Sequence, residues 1–287
     1  MILITGITST TGFEVANLIS KTDVNVRAIV RYPARAAFLE KMGIEIADGN
    51  LENPDSVGRA INGVKKIFLL TANNPGQLEQ ERNIIDLCHN SNVEHIVKFS
   101  IIGAGADTKS EILNRHYASE KYLEKSKINY THIRPNFYMQ NFFMFANLIK
   151  KRGEFYYPFR SARCGFVDVR DVAGVIVKIL IEANYEKYNK RIYTLTGPDM
   201  LSCRDVAEIF STYLHRGVKY INVSMEEFRQ VLQKLKLKKT MVDDYSNLYS
   251  LASKGLFDKK TGDIFEITGT QPRSFENFVK ENIEYFI

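Results

Sequence analysis

Several features that would mark particular protein classes are scarce in this sequence of 287 residues. Its three cysteines, Cys88, Cys164 and Cys203, are widely spaced and form no Cys-x-x-Cys pair, so neither a disulfide framework nor a thiolate metal site is expected. The histidines show no metal-ligand spacing such as His-Glu-x-x-His, and we predict no bound metal. No apolar run approaches the length of a membrane span, and the first residues lack a signal-peptide pattern. We therefore expect a cytoplasmic protein without membrane association.

The charge of the chain does not indicate a nucleic-acid partner. The formal net charge is +6, with 39 basic and 33 acidic residues. The basic residues are spread along predicted helices and are not interleaved with aromatic residues as in known nucleic-acid modules. We expect no nucleic-acid binding, and part of the excess positive charge could serve a phosphate-bearing cofactor.

Residues 1–20 carry the motif around which the rest of the chain is organised. An apolar run at Ile2 to Ile4 ends at Gly6, and a helical pattern begins near Gly12, so the stretch predicts a strand, a tight turn and a helix. Such a loop lets backbone N–H groups and the helix dipole approach a pyrophosphate. Ser9 stands where a central glycine is usual, and an ordinary βα turn without a ligand is the alternative. The residues predicted to bind the cofactor here are Gly6, Thr8, Ser9, Thr10, Thr11 and Gly12.

Strand and helix patterns alternate through residues 1–135. This alternation implies right-handed βαβ units and a parallel sheet, that is, an α/β fold with a doubly wound Rossmann sheet. The predicted strands are 2–4, 25–30, 44–47, 66–71, 95–100 and 130–134, and helices are predicted at 33–42, 54–61, 76–90 and 111–126.

After Pro135 the pattern changes. We predict a helix over 136–151 that is rich in aromatic residues and Met, a strand over 165–169 leading into a helix over 172–181, a strand over 191–195, a strand over 219–223 and an amphipathic helix over 225–237. The predicted domains are a cofactor-binding Rossmann domain over 1–135, to which 165–200 returns, and a smaller, mostly helical substrate lobe over 136–164 and 201–287. The substrate cleft is expected between them.

The end of the second strand indicates which dinucleotide is bound. NAD-preferring sites usually carry an acidic residue there, whereas an arginine accommodates the 2′-phosphate of NADP. Here the position is Arg31, with Arg35 one turn into the following helix, and no acidic residue is evident nearby. The sequence therefore favours NADP(H), with a solvent-facing Arg31 as the alternative.

Polar residues follow the third and fourth predicted strands, at the carboxyl edge where such folds bind ligands. Asp48 either accepts a hydrogen bond from the adenine amino group or only shapes its loop. The segment after the fourth strand either lines the path of the ribose and nicotinamide or is a plain turn. The further residues predicted to bind the cofactor are Asp48, Asn50, Leu51, Thr71, Ala72, Asn73 and, at the end of the fifth strand, Ser100.

The helix after the fifth strand carries two overlapping pairs of candidate catalytic residues. Tyr117 and Lys121 form Tyr-x-x-x-Lys, by which short-chain dehydrogenases lower a tyrosine pKa and hold the nicotinamide ribose. His116 and Glu120 form a second pair, rotated by about 100° around the helix. Both pairs cannot face the nicotinamide, and with 15 tyrosines about one Tyr-x-x-x-Lys is expected by chance.

With these motifs the chain resembles the NmrA-like group of atypical short-chain dehydrogenases/reductases, and within it bacterial proteins similar to NAD(P)H quinone reductases. The resemblance implies that His116 occupies the position of the orthodox tyrosine and Glu120 that of the orthodox lysine. It also places Arg134, Pro135, Asn136, Phe137 and Tyr138 beside the nicotinamide, with Asn136 as a polar contact; packing is the alternative for the two aromatic residues. The stretches that carry it are ILITGITSTTG, AIVR, ADGNLENPDSV, HYASEKYLEKSKINYTHIRPNFYMQNF, GFVDVRDVA and TGDIFEITGTQPRSFENFVKEN.

The resemblance implies an enzyme, an NADPH-dependent oxidoreductase that reduces quinones or similar planar electrophiles by direct hydride transfer, since no flavin motif is evident. The aromatic residues after Pro135 would enclose the planar substrate, with His116 as a proton donor or an orienting group. The alternative is a non-enzymatic NADP(H) sensor that acts through protein partners, as some NmrA-like proteins do. A homodimer or a complex with a regulatory protein partner is possible, and the sequence does not determine the oligomeric state.

Overall fold

The computed structural model describes residues 1–234 and 237–287. In these ranges, no helix is long and apolar enough to cross a membrane. The strands are β1 Ile2–Ile4, β2 Val26–Val30, β3 Glu45–Asp48, β4 Lys66–Leu69, β5 His95–Phe99, β6 Asn129–Pro135, β7 Glu154–Tyr157, β8 Arg163–Cys164, β9 Arg191–Leu195, β10 Leu201–Ser202 and β11 Lys219–Asn222. The α-helices are α1 Thr10–Ile19, α2 Pro33–Ala36, α3 Pro54–Ile61, α4 Gln77–Cys88, α5 Glu111–Lys125, α6 Ala146–Arg152, α7 Val169–Ile181, α8 Cys203–Leu214, α9 Met225–Lys234, α10 Lys239–Ala252, α11 Asp263–Thr268 and α12 Phe275–Glu281.

A seven-stranded sheet forms the centre of the molecule. Its order is β3-β2-β1-β4-β5-β6-β9, and every neighbouring pair is parallel. The strand order reverses direction between β1 and β4, which is where open α/β sheets bind ligands at their carboxyl edge. The predicted α/β fold with a doubly wound Rossmann sheet is confirmed. The strand predicted over 191–195 joins this sheet beside β6.

Apolar side chains cover both faces of the sheet. On one face, Val15 and Ala16 of α1 and Val172 and Ile176 of α7 pack in one core with Ile4 of β1. The other face is covered by a second core made mainly by α3 and α4. Because a parallel sheet needs helices on both faces to bury its strands, these two cores set the three-layer arrangement.

A second, aromatic-rich body follows β6. Its core contains Phe142, Phe155, Phe210, Phe275 and Phe278, all fully buried. Two small sheets support it, an antiparallel pair of β8 and β10 and a parallel pair of β7 and β11. β7 has no counterpart among the predicted strands. The division of the chain into two domains, with the stated boundaries, stays a prediction.

Several predicted elements have other bounds or another form. The helix predicted over 136–151 is a 3₁₀ turn at Met139–Phe145 followed by α6. The strand predicted over 165–169 is wrong. In this segment a single β-bridge joins Val167 to Tyr138. The strand pairing stops there because the next residue, Asp168, already caps the N-terminus of α7 with its side chain. The helix predicted over 33–42 is α2 followed by a 3₁₀ turn. The helix predicted over 225–237 corresponds to α9, which is described over Met225–Lys234. Residues 235 and 236 lie outside the described ranges.

Candidate functional site

Two clefts meet at the carboxyl edge of the main sheet. The first has a volume of about 810 Å³ and lies over β1 and β2. The second, of about 560 Å³, lies between the end of β6 and helix α10. Five residues line both clefts, so the two form one continuous groove. The shared residues are Ser9, Thr10, Leu70, Thr71 and Ala72.

The loop after β1 depends on two glycines for different reasons. Gly6 has a φ of +62°, and a Cβ there would meet the Leu70 carbonyl oxygen at 2.6 Å. A Cβ on Gly12 would lie 2.2 Å from the carbonyl oxygen of Gly6. Gly12 therefore allows α1 to pack against the loop and, contrary to expectation, does not itself line either cleft.

The hydroxyl groups of this loop divide between structural contacts and the groove. Ser9 caps α1, since its Oγ accepts a hydrogen bond from the Gly12 N–H at 3.1 Å. The Thr11 hydroxyl lies 3.1 Å from the Tyr138 hydroxyl. Thr8 and Thr10 are exposed and line the first cleft. The first turn of this ten-residue helix therefore borders the groove, where the unpaired N–H groups of a helix N-terminus favour an anion, and the exposed hydroxyls of Thr8 and Thr10 lie beside it.

Arg31 and Arg35 both line the first cleft. The Arg31 guanidinium donates a hydrogen bond to Asn50 Oδ1 at 3.3 Å and lies 3.7 Å from Glu52 Oε1. The expectation that no acidic residue lies near Arg31 is therefore wrong. Glu52 is in the loop after β3, and the pairing of β2 with β3 brings that loop alongside Arg31. Gln80 of α4 also donates to the Glu52 carboxylate, at 3.0 Å.

Aromatic side chains at the first cleft were missed by sequence reasoning. Tyr32, Phe13 and Phe38 line it and are all exposed. The Phe13 and Phe38 rings lie 5.9 Å apart, and the Arg35 guanidinium lies 5.2 Å from the Tyr32 ring centre. Exposed aromatic rings at a cleft are suited to stacking on a flat base. Only Tyr32, directly after Arg31, had a sequence signal, because the other two residues lie in different elements.

The residues predicted after β3 and β4 differ in position. Asn50, Leu51, Thr71 and Ala72 line the first cleft, and Asn73 lines the second. Asp48 is exposed at the end of β3 and does not line either cleft. Its proposed contact with adenine is not supported, because β3 lies at the edge of the sheet, with Asp48 outside the groove.

Helix α5 turns His116 to the second cleft and the Tyr-x-x-x-Lys pair away from it. His116 is buried and lines the cleft, whereas Tyr117 and Lys121 line neither cleft. The Lys121 ammonium instead binds Glu124 at 2.6 Å. The phase of α5 thus places Tyr117 and Lys121 outside the groove, since a rotation of about 100° separates neighbouring residues, and their catalytic role stays a prediction without support from this geometry.

Glu120 does not face the groove either. It is fully buried and accepts a hydrogen bond from Arg134 Nε at 2.9 Å, with a second bond from the same guanidinium. This bidentate pair ties α5 to β6. His116 therefore stands alone among the candidate catalytic residues at the cleft, and its Nε2 lies 3.1 Å from Asn73 Oδ1. Burial, reinforced by the positive charges of Lys98, Arg115 and Arg134, holds the pKa of His116 well below its ordinary value.

The far wall of the second cleft is aromatic. Phe137 lines the cleft and also packs edge-on against Tyr157 and Phe159, and its position beside a nicotinamide stays a prediction. Helix α10, which sequence reasoning did not connect to the site, is held over the cleft by an ion pair between Arg115 and Asp244 at 2.9 Å. The aromatic residues lining this cleft are Phe99, Phe137, Tyr138, Tyr245, Tyr249 and Phe257.

Asn136 and Ser100, both expected beside the nicotinamide, differ in what their polar atoms contact. Asn136 Nδ2 donates to the carbonyl oxygen of Phe257 at 3.0 Å, and its Oδ1 accepts from the Phe137 N–H at 2.7 Å. Asn136 lines the second cleft, its amide joins two chain segments, and its role as a polar contact of the nicotinamide stays a prediction. Ser100 is 1% exposed and lines the cleft beside Pro135, and in the described ranges its Oγ has no hydrogen-bond partner. Such a buried, unpaired hydroxyl is suited to a ligand.

A family comparison agrees with this arrangement of sheet and groove. The sequence profile of the NmrA-like family matches residues 1–278. The chain belongs to the NmrA-like family. It is 30% identical, over 286 residues, to an NAD(P)H azoreductase of Xenophilus azovorans, a match that covers 100% of this chain and 99% of the relative. It is 28% identical over 262 residues to quinone oxidoreductase 2 of Escherichia coli K12, covering 90% of each chain.

The NmrA-like fold is also seen in solved structures. The crystal structure of an NADPH-dependent quinone oxidoreductase from Escherichia coli in complex with NADPH superimposes with a TM-score of 0.88. The match covers 99% of this chain and 100% of that chain, at 24% identity. At this identity the likeness establishes a common fold.

Proposed function

We propose that this NmrA-like chain is an NADPH-dependent oxidoreductase that reduces quinones or similar planar, conjugated electrophiles by direct hydride transfer. The observation that carries the proposal is the continuity of the two clefts, one beside Arg31 and Arg35 and the other walled by aromatic rings. The names of two relatives, an NAD(P)H azoreductase and a quinone oxidoreductase, support the same reaction class.

The residues at the first cleft fit an NADP(H) dinucleotide. Gly6 and Gly12 keep the loop free of side chains where a Cβ would clash with backbone, which is the geometry that lets a pyrophosphate approach a helix N-terminus. Arg31 and Arg35 would hold the 2′-phosphate. Ser100, whose buried Oγ is unpaired in the described ranges, would hold a polar group of the nicotinamide half.

The second cleft fits a planar substrate. Phe137, Tyr245 and Tyr249 line it, and aromatic faces favour stacking on flat conjugated rings. When bound, the cofactor supplies a hydride from its nicotinamide ring. The protein would contribute orientation by these walls and a hydrogen bond from His116. Because its pKa is lowered by burial, His116 is a neutral imidazole near pH 7 and is better suited to orienting the substrate than to protonating it.

The test is NADPH consumption, followed by nicotinamide absorbance, with a panel of benzoquinones, naphthoquinones and azo dyes against blanks without protein. We expect saturable consumption, reduced strongly by His116→Ala with NADPH affinity retained. His89→Ala is the matched control, since His89 is exposed at the end of α4 and outside both clefts. A protein that binds NADPH but shows a flat trace with every acceptor would contradict the proposal and favour the NADP(H)-sensor alternative.

A further inference from the structure

The two clefts of the groove differ in charge. Arg31 and Arg35 line the first cleft. Among the residues that the structure describes, every side chain lining the second cleft is uncharged, and its polar groups are hydroxyls, amides and one imidazole. That imidazole, His116, stays neutral near pH 7, because burial keeps its pKa well below the ordinary value. The described lining of the second cleft therefore presents hydrogen-bonding groups and aromatic faces, all uncharged.

Ion pairs lie behind this lining. The Lys98 ammonium of β5 lies 3.0 Å from Oε2 of Glu81 on α4, and both side chains are fully buried. Arg134 Nε donates a hydrogen bond to Glu120 Oε1 at 2.9 Å, and the same guanidinium makes a second bond to that carboxylate. Because the two charges of each pair lie in contact, their fields largely cancel at the distance of a ligand in the cleft.

A third ion pair closes the side of the cleft formed by α10. Arg115, the residue before His116 on α5, lies 2.9 Å from the Asp244 carboxylate of α10, and both side chains are largely buried. The cations that act on the His116 imidazole are Lys98, Arg115 and Arg134. In the described ranges, each of these three cations is thus matched by a carboxylate of its own.

We propose that the second cleft selects uncharged acceptors, and that a sulfonate, carboxylate or quaternary ammonium group on the reacting ring system excludes an otherwise suitable compound. The inference rests on the proposed function and narrows its substrate class to neutral quinones and neutral aromatic azo compounds. An ion that enters the cleft gives up part of its hydration, and the described lining supplies hydrogen bonds but no counter-ion in exchange. A neutral quinone loses less hydration, and its carbonyl oxygens can accept hydrogen bonds from the hydroxyls and amides of the lining.

The first test measures binding with redox-inert probes, so that it needs no turnover. Neutral 2-naphthol, its 6-sulfonate and its 6-trimethylammonium derivative are compared by equilibrium dialysis against the wild-type protein with saturating NADPH, near pH 7. We expect each ion to bind at least about tenfold more weakly than the neutral naphthol. Both signs are needed, because repulsion by the cofactor phosphates would weaken the sulfonate alone. An ion of either sign that binds as tightly as 2-naphthol, or a neutral probe that does not bind, would overturn the proposal.

The second test carries the comparison to turnover. It uses 1,4-naphthoquinone and 1,4-naphthoquinone-2-sulfonate, each corrected for its reaction with free NADPH. The electron-withdrawing sulfonate makes its ring easier to reduce, so chemical reactivity alone would favour the charged compound. We expect kcat/KM to be lower for the sulfonate by at least about tenfold, and equal values would overturn the proposal. If neither quinone is reduced while the naphthols bind as expected, only the proposed function fails.

A lysine on the cleft wall should change the selectivity. Asn141 lines the second cleft and is half-buried, so Asn141→Lys supplies a counter-ion and should raise the affinity of the sulfonate relative to 2-naphthol by about fivefold or more. Asn90→Lys is the matched control, because Asn90 is exposed just after α4 and outside both clefts. It adds the same charge and should leave the ratio unchanged. An unchanged ratio in folded Asn141→Lys, or an equal rise in Asn90→Lys, would contradict the role given to the lining.

Discussion

Replacement of Arg31 tests the cofactor preference most sharply. The Arg31 side chain is 53% exposed, so its attraction for a 2′-phosphate is close to the value in water, about 1 kcal/mol per unit charge at 4 Å. A phosphate of charge near −2 raises this to about 2 kcal/mol, and screening by salt reduces it to about 1–2 kcal/mol. Arg31→Ala should therefore weaken NADPH binding by about five- to thirtyfold. The affinity for NADH, which lacks the phosphate, should change by less than about twofold.

Replacement of Glu52 should have the opposite effect on NADPH affinity at the same site. Its carboxylate lies 3.7 Å from the Arg31 guanidinium and opposes the 2′-phosphate, so Glu52→Gln should tighten NADPH binding by about twofold, or about 0.5 kcal/mol. Glu45→Gln is the matched control, because Glu45 pairs with Arg27 at 2.7 Å at the other end of β3. The assays are nicotinamide fluorescence for the two dinucleotides and calorimetry with 2′,5′-ADP and ADP. An NADPH to NADH affinity ratio that is unchanged in Arg31→Ala would refute the assignment of Arg31.

Three further predictions concern stability and the glycine loop. Lys98→Met leaves Glu81 buried without its ion-pair partner and should lower the free energy of unfolding by about 3–5 kcal/mol in denaturant titrations. The double variant Lys98→Met/Glu81→Gln should recover stability, and a double variant as unstable as Lys98→Met would contradict the unpaired carboxylate as the cause. Gly12→Ala should abolish NADPH binding or folding, because its Cβ would lie 2.2 Å from the Gly6 carbonyl oxygen. Gly58→Ala in α3 is the matched control, since a Cβ there meets nothing within 4 Å, and it should raise the free energy of unfolding by up to about 1 kcal/mol. Burial lowers the pKa of His95 to about 4, so the folded state favours the neutral imidazole. The resulting stabilisation is complete above the unfolded pKa near 6.5 and is lost as the pH falls towards 4. His95→Gln should therefore reduce the slope of the unfolding free energy against pH in that window by up to about 1.4 kcal/mol per pH unit, and an unchanged slope would contradict this explanation.

The sheet could be predicted from the sequence because its signals are local. Each strand of the first 135 residues is a short apolar run. Asn53 and Pro54 predict the start of α3, because they supply its N-cap and its first-turn proline. The elements after Pro135 were harder to predict. Among the residues that the structure describes, β7 pairs only with β11, more than 60 positions away. Its alternating aromatic residues lie within a longer aromatic stretch and show no distinctive period.

The groove was predicted where it follows directly from strand ends and was missed where distant segments meet. Arg31, Thr71 and Ser100 each follow or end a strand and line the clefts. Glu52 is brought beside Arg31 by strand pairing, and Tyr249 is brought to the second cleft by the docking of α10. No local sequence pattern predicts either contact. The phase of α5 is a third case, because Tyr117 and His116 are adjacent in sequence and only the packing of the helix decides which one faces the cleft.

The most direct test of the proposed reaction is a single-turnover measurement carried out in the absence of dioxygen. The protein is loaded with one equivalent of NADPH and mixed with increasing 1,4-naphthoquinone, and the nicotinamide absorbance is followed against free NADPH mixed with the same quinone. We predict a first-order loss of absorbance whose rate saturates with quinone and falls in His116→Ala. Bound NADPH that persists, or is consumed no faster than free NADPH, would contradict hydride transfer in this groove.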